Sequence, residues 1–173
     1  GPFGAVSLAK ALSGEVNPSG RLSNTYAYSV ESAPSTVNFG DFKYENANRG
    51  FINYEEGIYV GYRYYETVYE GDEAAYAQAV QFPFGFGLSY TDFDWNVAEP
   101  VIDDESISVT VQVTNAGSRA GKDVVEVYYS APYIEGGIEK SAIELGGYVK
   151  TSLLDPGATE TLTVSFATAD MAS

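Results

Sequence analysis

The chain has 173 residues, of which 45% are hydrophobic and 19% charged, a composition typical of a folded domain rather than a disordered segment. Nine basic residues against 24 acidic ones give a formal net charge of −15, which disfavours nucleic acid and anionic lipid as partners. The chain has no cysteine and no histidine, so disulfides, thiolate nucleophiles, Ser-His catalysis and most transition-metal sites are excluded. No apolar run is long enough to span a membrane, and no membrane partner is expected.

The first fifty residues divide into a helix and a connector. Residues 4–13 predict a short helix, because apolar residues such as Leu8 and Leu12 recur at helical spacing and Gly14 follows as a C-terminal cap. Turn residues fill positions 17–20. Residues 22–50 are polar and aromatic without a clean period, which predicts a connector without a continuous core.

Residues 51–69, the tyrosine strip, carry seven aromatic side chains. A helix would align Ile52, Glu55, Tyr59, Tyr62 and Glu66, whereas a strand would align Ile58, Val60, Tyr62 and Tyr64, so both periods stay open. Two roles are also open. The rings stack on sugars or bases, or they pack at a boundary between domains, and the second role is the more common one.

Short alternating strands dominate from Leu88 onward. Five are predicted, at residues 89–96, 106–114, 123–130, 142–150 and 160–166. Asn115-Ala116-Gly117 and Asp155-Pro156-Gly157 supply turns between them. We expect Val109, Val111, Val125, Val127, Leu162 and Val164 to point inward, because each lies on the apolar phase of its strand. This pattern predicts an immunoglobulin-like sandwich, which ordinarily has about seven strands.

Carboxylates are the main remaining candidates for chemistry. Glu55 and Glu56 are adjacent and therefore diverge, while residues 103–105 (Asp-Asp-Glu) are typical of a solvated turn. Asp92 and Asp94 share one strand face but lack the further oxygen ligands of a calcium loop. Residues 85–87 (Gly-Phe-Gly) lack the lysine and the helix of a phosphate-binding loop. None of these groups predicts a catalytic or metal site.

Four segments resemble motifs of glycoside hydrolase family 3, in the order in which that family has them. They are NPSGRLSNTY (17–26), YEEGIYVGYRYYE (54–66), FPFGFGLSYTDF (82–93) and VTNAGSRAGKDVVEVYYSAP (113–132), with a weaker echo from Lys140 to Gly157. Ser23 stands where the family usually has Pro, and Glu66 where it usually has Asp. The segments span nearly the whole chain, so the chain resembles the C-terminal part of such an enzyme.

The resemblance implies an activity for the whole enzyme and the absence of catalytic residues from this chain. Family 3 members are mostly retaining β-glucosidases, in which a barrel Asp is the nucleophile and a Glu of an α/β sandwich domain is the acid/base. Both residues lie upstream of the NPSGRL motif, so the resemblance places no catalytic residue in this chain. It likewise implies no cofactor and no metal. The expected partners are the remainder of the same enzyme and, for the whole enzyme, a β-glucoside; a homo-oligomer is also compatible.

The expected fold is mainly β: a fibronectin type III-like (immunoglobulin-like) β-sandwich preceded by a short α/β remnant and an irregular connector. The expected domains are 1–50, the remnant of the α/β sandwich domain; 51–87, the aromatic-rich connector; and 88–173, the sandwich, expected to lack its last strands. Two other functions stay open: a free-standing carbohydrate-binding or adhesion module, and a protein-interaction module. A bacterial cytoplasmic location and a secreted one are both compatible.

Overall fold

A computed structural model gives the fold and describes residues 2–40 and 42–172. Its α-helices are α1 (Pro2–Leu12), α2 (Pro34–Val37), α3 (Tyr62–Val68) and α4 (Glu73–Ala79). Its strands are β1 (Tyr26–Ala27), β2 (Phe42–Lys43), β3 (Gly50–Phe51), β4 (Val80–Phe82), β5 (Phe93–Val97), β6 (Val101–Ile102), β7 (Ser106–Asn115), β8 (Val124–Tyr129), β9 (Glu144–Lys150) and β10 (Thr159–Ala167). Short 3₁₀ turns cover Val30–Ser32 and Thr168–Ala172. No helix in the described ranges has both the length and the apolar character that a membrane crossing needs.

The chain forms two compact units. The first contains Gly1–Arg21, Gly87–Tyr129 and Leu145–Ser173, and the second contains Leu22–Phe86 and Ser130–Glu144. The first unit therefore combines the N-terminal helix with the strand-rich part of the sequence. The mainly β character expected from the sequence is confirmed.

Strand β7 organises the first unit. It pairs with β10 from Ser106, opposite Ala167, to Thr114, opposite Thr159, and β5 and β6 share its other edge. Strands β8 and β9 form a separate two-stranded sheet. The sequence predicted five strands in this region, and that count is wrong for the described residues: β6, only two residues long, was missed because so short a run shows no period.

The core of this unit comes from both sheets. Its buried members are the valines at alternate positions of β7, together with side chains from β8, β10 and the bridge before β10: Val109, Val111, Val113, Val125, Leu154 and Val164. Val127 and Leu162 pack against them and are partly buried. The inward direction predicted for these residues is confirmed, because alternation places every second side chain of a strand on one face.

The outer face of the β7–β10 pair carries hydroxyl groups instead. Ser108 faces Ser165 at 2.8 Å, and Thr110 faces Thr163 at 2.9 Å. Directly opposed hydroxyls of this kind stabilise an antiparallel pair while leaving its face compatible with water. The strict alternation in the sequence therefore gives the β7–β10 pair one apolar face toward the core and one hydroxyl-bearing face toward solvent.

The turn between β6 and β7 is held by one carboxylate. Asp103 accepts hydrogen bonds from the backbone N–H groups of Glu105 (2.8 Å) and Ser106 (2.7 Å). These bonds lower the pKa of Asp103, the bond from Glu105 most strongly. The solvated turn predicted at residues 103–105 is confirmed.

Helix α1 has the predicted position and the predicted cap. It ends at Leu12, and Gly14 follows with φ of 75°, a backbone conformation that glycine adopts without steric cost. The carbonyl of Gly14 accepts a hydrogen bond from Arg119 Nη1 (2.6 Å), and that of Ala11 accepts one from the Tyr90 hydroxyl (2.8 Å). The C-terminal end of the helix is thus fixed to loops of the first unit.

The second unit contains little regular structure. Strands β1 and β4 pair, as do β2 and β3, and each pair is at most three residues long. No residue between 22 and 40 or between 42 and 50 is buried, as the connector prediction requires. Of the two periods left open for the tyrosine strip, the helical one applies only from Tyr62, where α3 begins after Gly61 with φ of 61°.

Candidate functional site

The NPSGR segment, residues 17–21, is held in the first unit by its own side chains. Asn17 Oδ1 accepts hydrogen bonds from Ser89 Oγ (3.1 Å) and from the backbone N–H of Tyr90 (2.8 Å). Asn17 Nδ2 donates to the carbonyl of Ala120 (3.0 Å). The amide therefore uses both of its ends and joins segments more than 70 residues away in sequence.

The second side chain that anchors this segment is Arg21. Its Nη2 donates to Asp123 Oδ1, forming an ion pair in which the arginine side chain is 19% exposed and the aspartate 9%. The other carboxylate oxygen of Asp123 accepts from Trp95 Nε1 (2.9 Å), and Oδ1 also accepts from the backbone N–H of Val124 (2.9 Å). We call Asn17, Arg21, Trp95 and Asp123 the NPSGR clamp. These donors satisfy both oxygens of a nearly buried carboxylate with charge-assisted hydrogen bonds.

Close backbone contact completes the clamp. Gly87 lies so near the segment that an added Cβ would overlap the carbonyl oxygen of Gly20 and the guanidinium of Arg21. The motif at residues 82–93 therefore needs glycine at position 87 because of this close approach to the backbone.

A buried asparagine connects the loops next to the clamp. Asn115, the last residue of β7, is fully buried and its Oδ1 accepts from Thr91 Oγ1 (2.6 Å). Its Nδ2 donates to the carbonyls of Arg119 (2.7 Å) and Leu154 (2.8 Å). The sequence predicted only a turn here, whereas the structure shows a polar core position whose every hydrogen-bonding group is used.

The tyrosine strip is divided between packing and exposure. Tyr65 is 3% exposed and its hydroxyl lies 3.0 Å from Ser32 Oγ, while the ring of Tyr62 packs on Phe84 at 4.8 Å. Tyr54, before the helix, is 80% exposed. The helical half of the strip is therefore an internal packing element of the second unit, whereas Tyr54 near its start is exposed.

The second unit also contains a cleft of about 300 Å³ with acidic walls. It is lined by Glu66, Tyr69, Glu70, Glu73 and Tyr76, together with Ser130, Ala142 and Ile143. The Tyr76 hydroxyl donates to Glu66 Oε1 (2.6 Å), and burial, followed by this carboxylate, raises the pKa of Tyr76. Within the described ranges no three acidic side chains are grouped closely enough to hold a metal ion.

The carboxylates considered from sequence do not converge. Glu55 accepts from Asn53 Nδ2 (2.6 Å), while Glu56 accepts from Asn38 Nδ2 (3.2 Å), so the adjacent pair has separate partners. Asp92 and Asp94 are both exposed. The residue that the sequence reasoning missed is Asp123, because its partners lie 102 and 28 positions away and leave no local pattern.

Comparison with known proteins gives a consistent result. β-Glucosidase A of Butyrivibrio fibrisolvens is 41% identical over 186 aligned residues, which cover 98% of this chain and 21% of that protein. The structure of β-glucosidase 3B from Thermotoga neapolitana in complex with α-D-glucose matches with a TM-score of 0.79 and 36% identity, over 95% of this chain and 21% of that one. The GH3 β-glucosidase of Bifidobacterium adolescentis matches with a TM-score of 0.74 and 32% identity, over 94% and 22%.

Over nearly its whole length, the chain is similar to one part of glycoside hydrolase family 3 β-glucosidases. It spans about a fifth of the length of these relatives, and no family model matches it. The resemblance inferred from the four motifs is confirmed. Two of those motifs, the NPSGR residues and the Gly87 region, lie against each other at the clamp.

Proposed function

We propose that this segment is a non-catalytic part of a retaining β-glucosidase-like hydrolase, in which it supports the domains that carry the chemistry. The NPSGR clamp supports this proposal most directly. Asn17, Arg21 and Asp123 use their polar groups to hold this segment in place through hydrogen bonds within the first unit. Side chains used in this way serve positioning rather than reaction.

The chemistry of the family supports the same proposal. A retaining glycosidase needs two carboxyl groups about 5–5.5 Å apart on either side of the scissile bond. The resemblance assigns both to parts of the enzyme outside this segment, so we propose that this segment contains no catalytic residue. The partners are then the remainder of the enzyme and, through it, a β-glucoside.

We also propose the modular division expected from the sequence, with a fibronectin type III-like sandwich in residues 88–173. In support, β5 to β10 all fall within that range, and two sheets contribute to one core. The shared core is the arrangement that such sandwiches use.

The test compares the isolated segment with the natural full-length protein that contains it, using a nitrophenyl β-D-glucoside. We expect turnover by the full-length protein and no turnover by the segment above a boiled control. Turnover by the segment alone would show that it carries catalytic residues. A full-length protein that folds but leaves β-glucosides intact would overturn the assignment of the activity.

A second function, a free-standing carbohydrate-binding module, is favoured by one observation. Exposed aromatic side chains line a groove of about 730 Å³ in the second unit. Calorimetric titration of the segment with glucose and cellobiose separates the two functions, because saturable heat is expected only for a binding module.

A further inference from the structure

The most exposed aromatic side chains of the second unit surround the β2–β3 hairpin. Phe39 is 70% exposed and Tyr54 80%, and between them lie Phe42, Phe51 and Ile52, each at least a third exposed. We call these five residues the aromatic hairpin surface. They line one open groove of about 730 Å³ together with Gly40 and Gly50.

The hairpin has little support of its own. Phe42 stacks on Phe51 at 5.4 Å, and Tyr44 lies 4.9 Å from the same ring, yet all three side chains stay at least a third exposed. Strands β2 and β3 are two residues each, and no residue from 42 to 50 is buried. A two-stranded hairpin without a covered face is at best marginally stable in water.

The composition of the surface indicates the kind of occupant. Among the described residues that line the groove none has a charged side chain, in a chain whose net charge is −15. A sugar site needs several polar groups directed at hydroxyls, whereas the one polar side-chain group among these lining residues is the Tyr54 hydroxyl. A second copy of the chain would also have a net charge of −15, so the two copies would repel each other at long range. Uncharged aromatic patches are typical of protein interface centres.

We propose that the aromatic hairpin surface packs against the remainder of the same β-glucosidase-like polypeptide. The segment spans only 16–21% of its curated relatives, so about four-fifths of such a protein is available to cover it. The inference rests on the proposed function and adds to it by naming the residues of contact. The covering surface must itself be apolar, because the five residues offer it almost no polar partner.

Oxidative footprinting of the natural full-length protein tests this proposal without any substitution. The labelling rate of each side chain is measured in the native protein and in the same protein denatured in urea. Tyr148, on β9 and 71% exposed, is the matched reference for Tyr54. We expect Phe39 and Tyr54 to be labelled about tenfold more slowly in the native protein than in the denatured one, as for interface centres that exclude water.

Native labelling of Phe39 and Tyr54 at rates within about twofold of the denatured protein would overturn the inference, because side chains this exposed are labelled freely. Protection that appears only after cellobiose is added would overturn it in favour of a sugar site. Protection that disappears on dilution would overturn it in favour of self-association. β-Glucosidase activity, assayed on the same sample, tests the proposed function separately: an active enzyme with a freely labelled surface refutes only this inference.

Discussion

Replacing Asp123 by alanine should destabilise the first unit strongly. The carboxylate accepts hydrogen bonds from Arg21, from the Trp95 indole and from the backbone of Val124, and it is almost entirely buried. Truncation removes all three acceptor contacts at once. It also leaves the guanidinium of Arg21, whose side chain is 81% covered, beside an apolar methyl group.

The size of the effect follows from the burial of the pair. Removing one partner of a buried ion pair typically costs about 3–5 kcal/mol. Because the side chain of Arg21 keeps 19% exposure and can recover some water, we expect the lower end, about 3 kcal/mol. A domain of ordinary stability has about 5–15 kcal/mol in total, so the loss should be plain in a urea titration.

Trp95 makes the assay specific. It is the single tryptophan of the chain, and its indole N–H is a member of the clamp, so its fluorescence reports the unfolding of this region. Because the substitution alters the surroundings of the indole, circular dichroism should be recorded in parallel. Asp94→Ala, an exposed aspartate on the same strand as Trp95, is the control and should stay within about 0.5 kcal/mol of the parent.

A double-mutant cycle separates the ion pair from the other contacts. Arg21→Met removes the charge and retains much of the stem, and combining it with Asp123→Ala should cost less than the two single changes added together. We expect a coupling energy of about 2 kcal/mol, within the range for residues in direct contact. Coupling near zero, or an Asp123→Ala protein as stable as the Asp94→Ala control, would refute the view that this pair holds the NPSGR segment.

Three further predictions concern single positions. Gly87→Ala should lower the urea midpoint clearly and Gly20→Ala should not, because a Cβ at Gly87 overlaps backbone whereas one at Gly20 meets nothing within 4 Å. Burial and then Glu66 raise the pKa of Tyr76. The stability due to its protonated form is therefore present below the unfolded pKa of about 10 and is lost as pH rises through the higher folded pKa. Spectrophotometric titration of Tyr76→Phe should lack the last tyrosine to ionise, and an unaltered final step would contradict this. Backbone N–H groups lower the pKa of Asp103. Its contribution to stability is therefore present above the unfolded pKa of about 3.9 and is lost as pH falls through the lower folded pKa. An NMR titration of the Asp103 carboxyl with a midpoint at or above the unfolded pKa would contradict this.

Local patterns predicted the parts of the fold that depend on neighbours in sequence. The alternation of β7 located its buried valines, and the Gly14 cap located the end of α1. The turn at residues 155–157 is also present, with Gly157 at φ of 79°. In each case the determinant is steric or apolar and acts within a few residues, so it can be read from a single chain.

The missed features depend on distant residues. From the sequence, Asp123 was the first residue of a predicted strand. The neighbouring sequence contains no pattern that indicates Arg21 and Trp95 as its partners. Helix α3 was ambiguous because its tyrosines suit either period, and contacts such as that of Tyr62 with Phe84 decide it. Tertiary contacts therefore fixed the elements whose local signals were weak.

Buried polar groups of the first unit and exposed aromatic side chains of the second bear on the role of the segment. In the first unit, buried polar groups such as those of Asn115 and Asp123 are satisfied internally, so their cost is met without any outside partner. In the second unit, side chains such as Phe39 and Tyr54 are left largely in water although they gain most from leaving it. A free-standing module would be expected to bury those rings or surround them with polar groups. The second unit, which leaves these aromatic rings in water, is suited to act as one part of a larger folded protein.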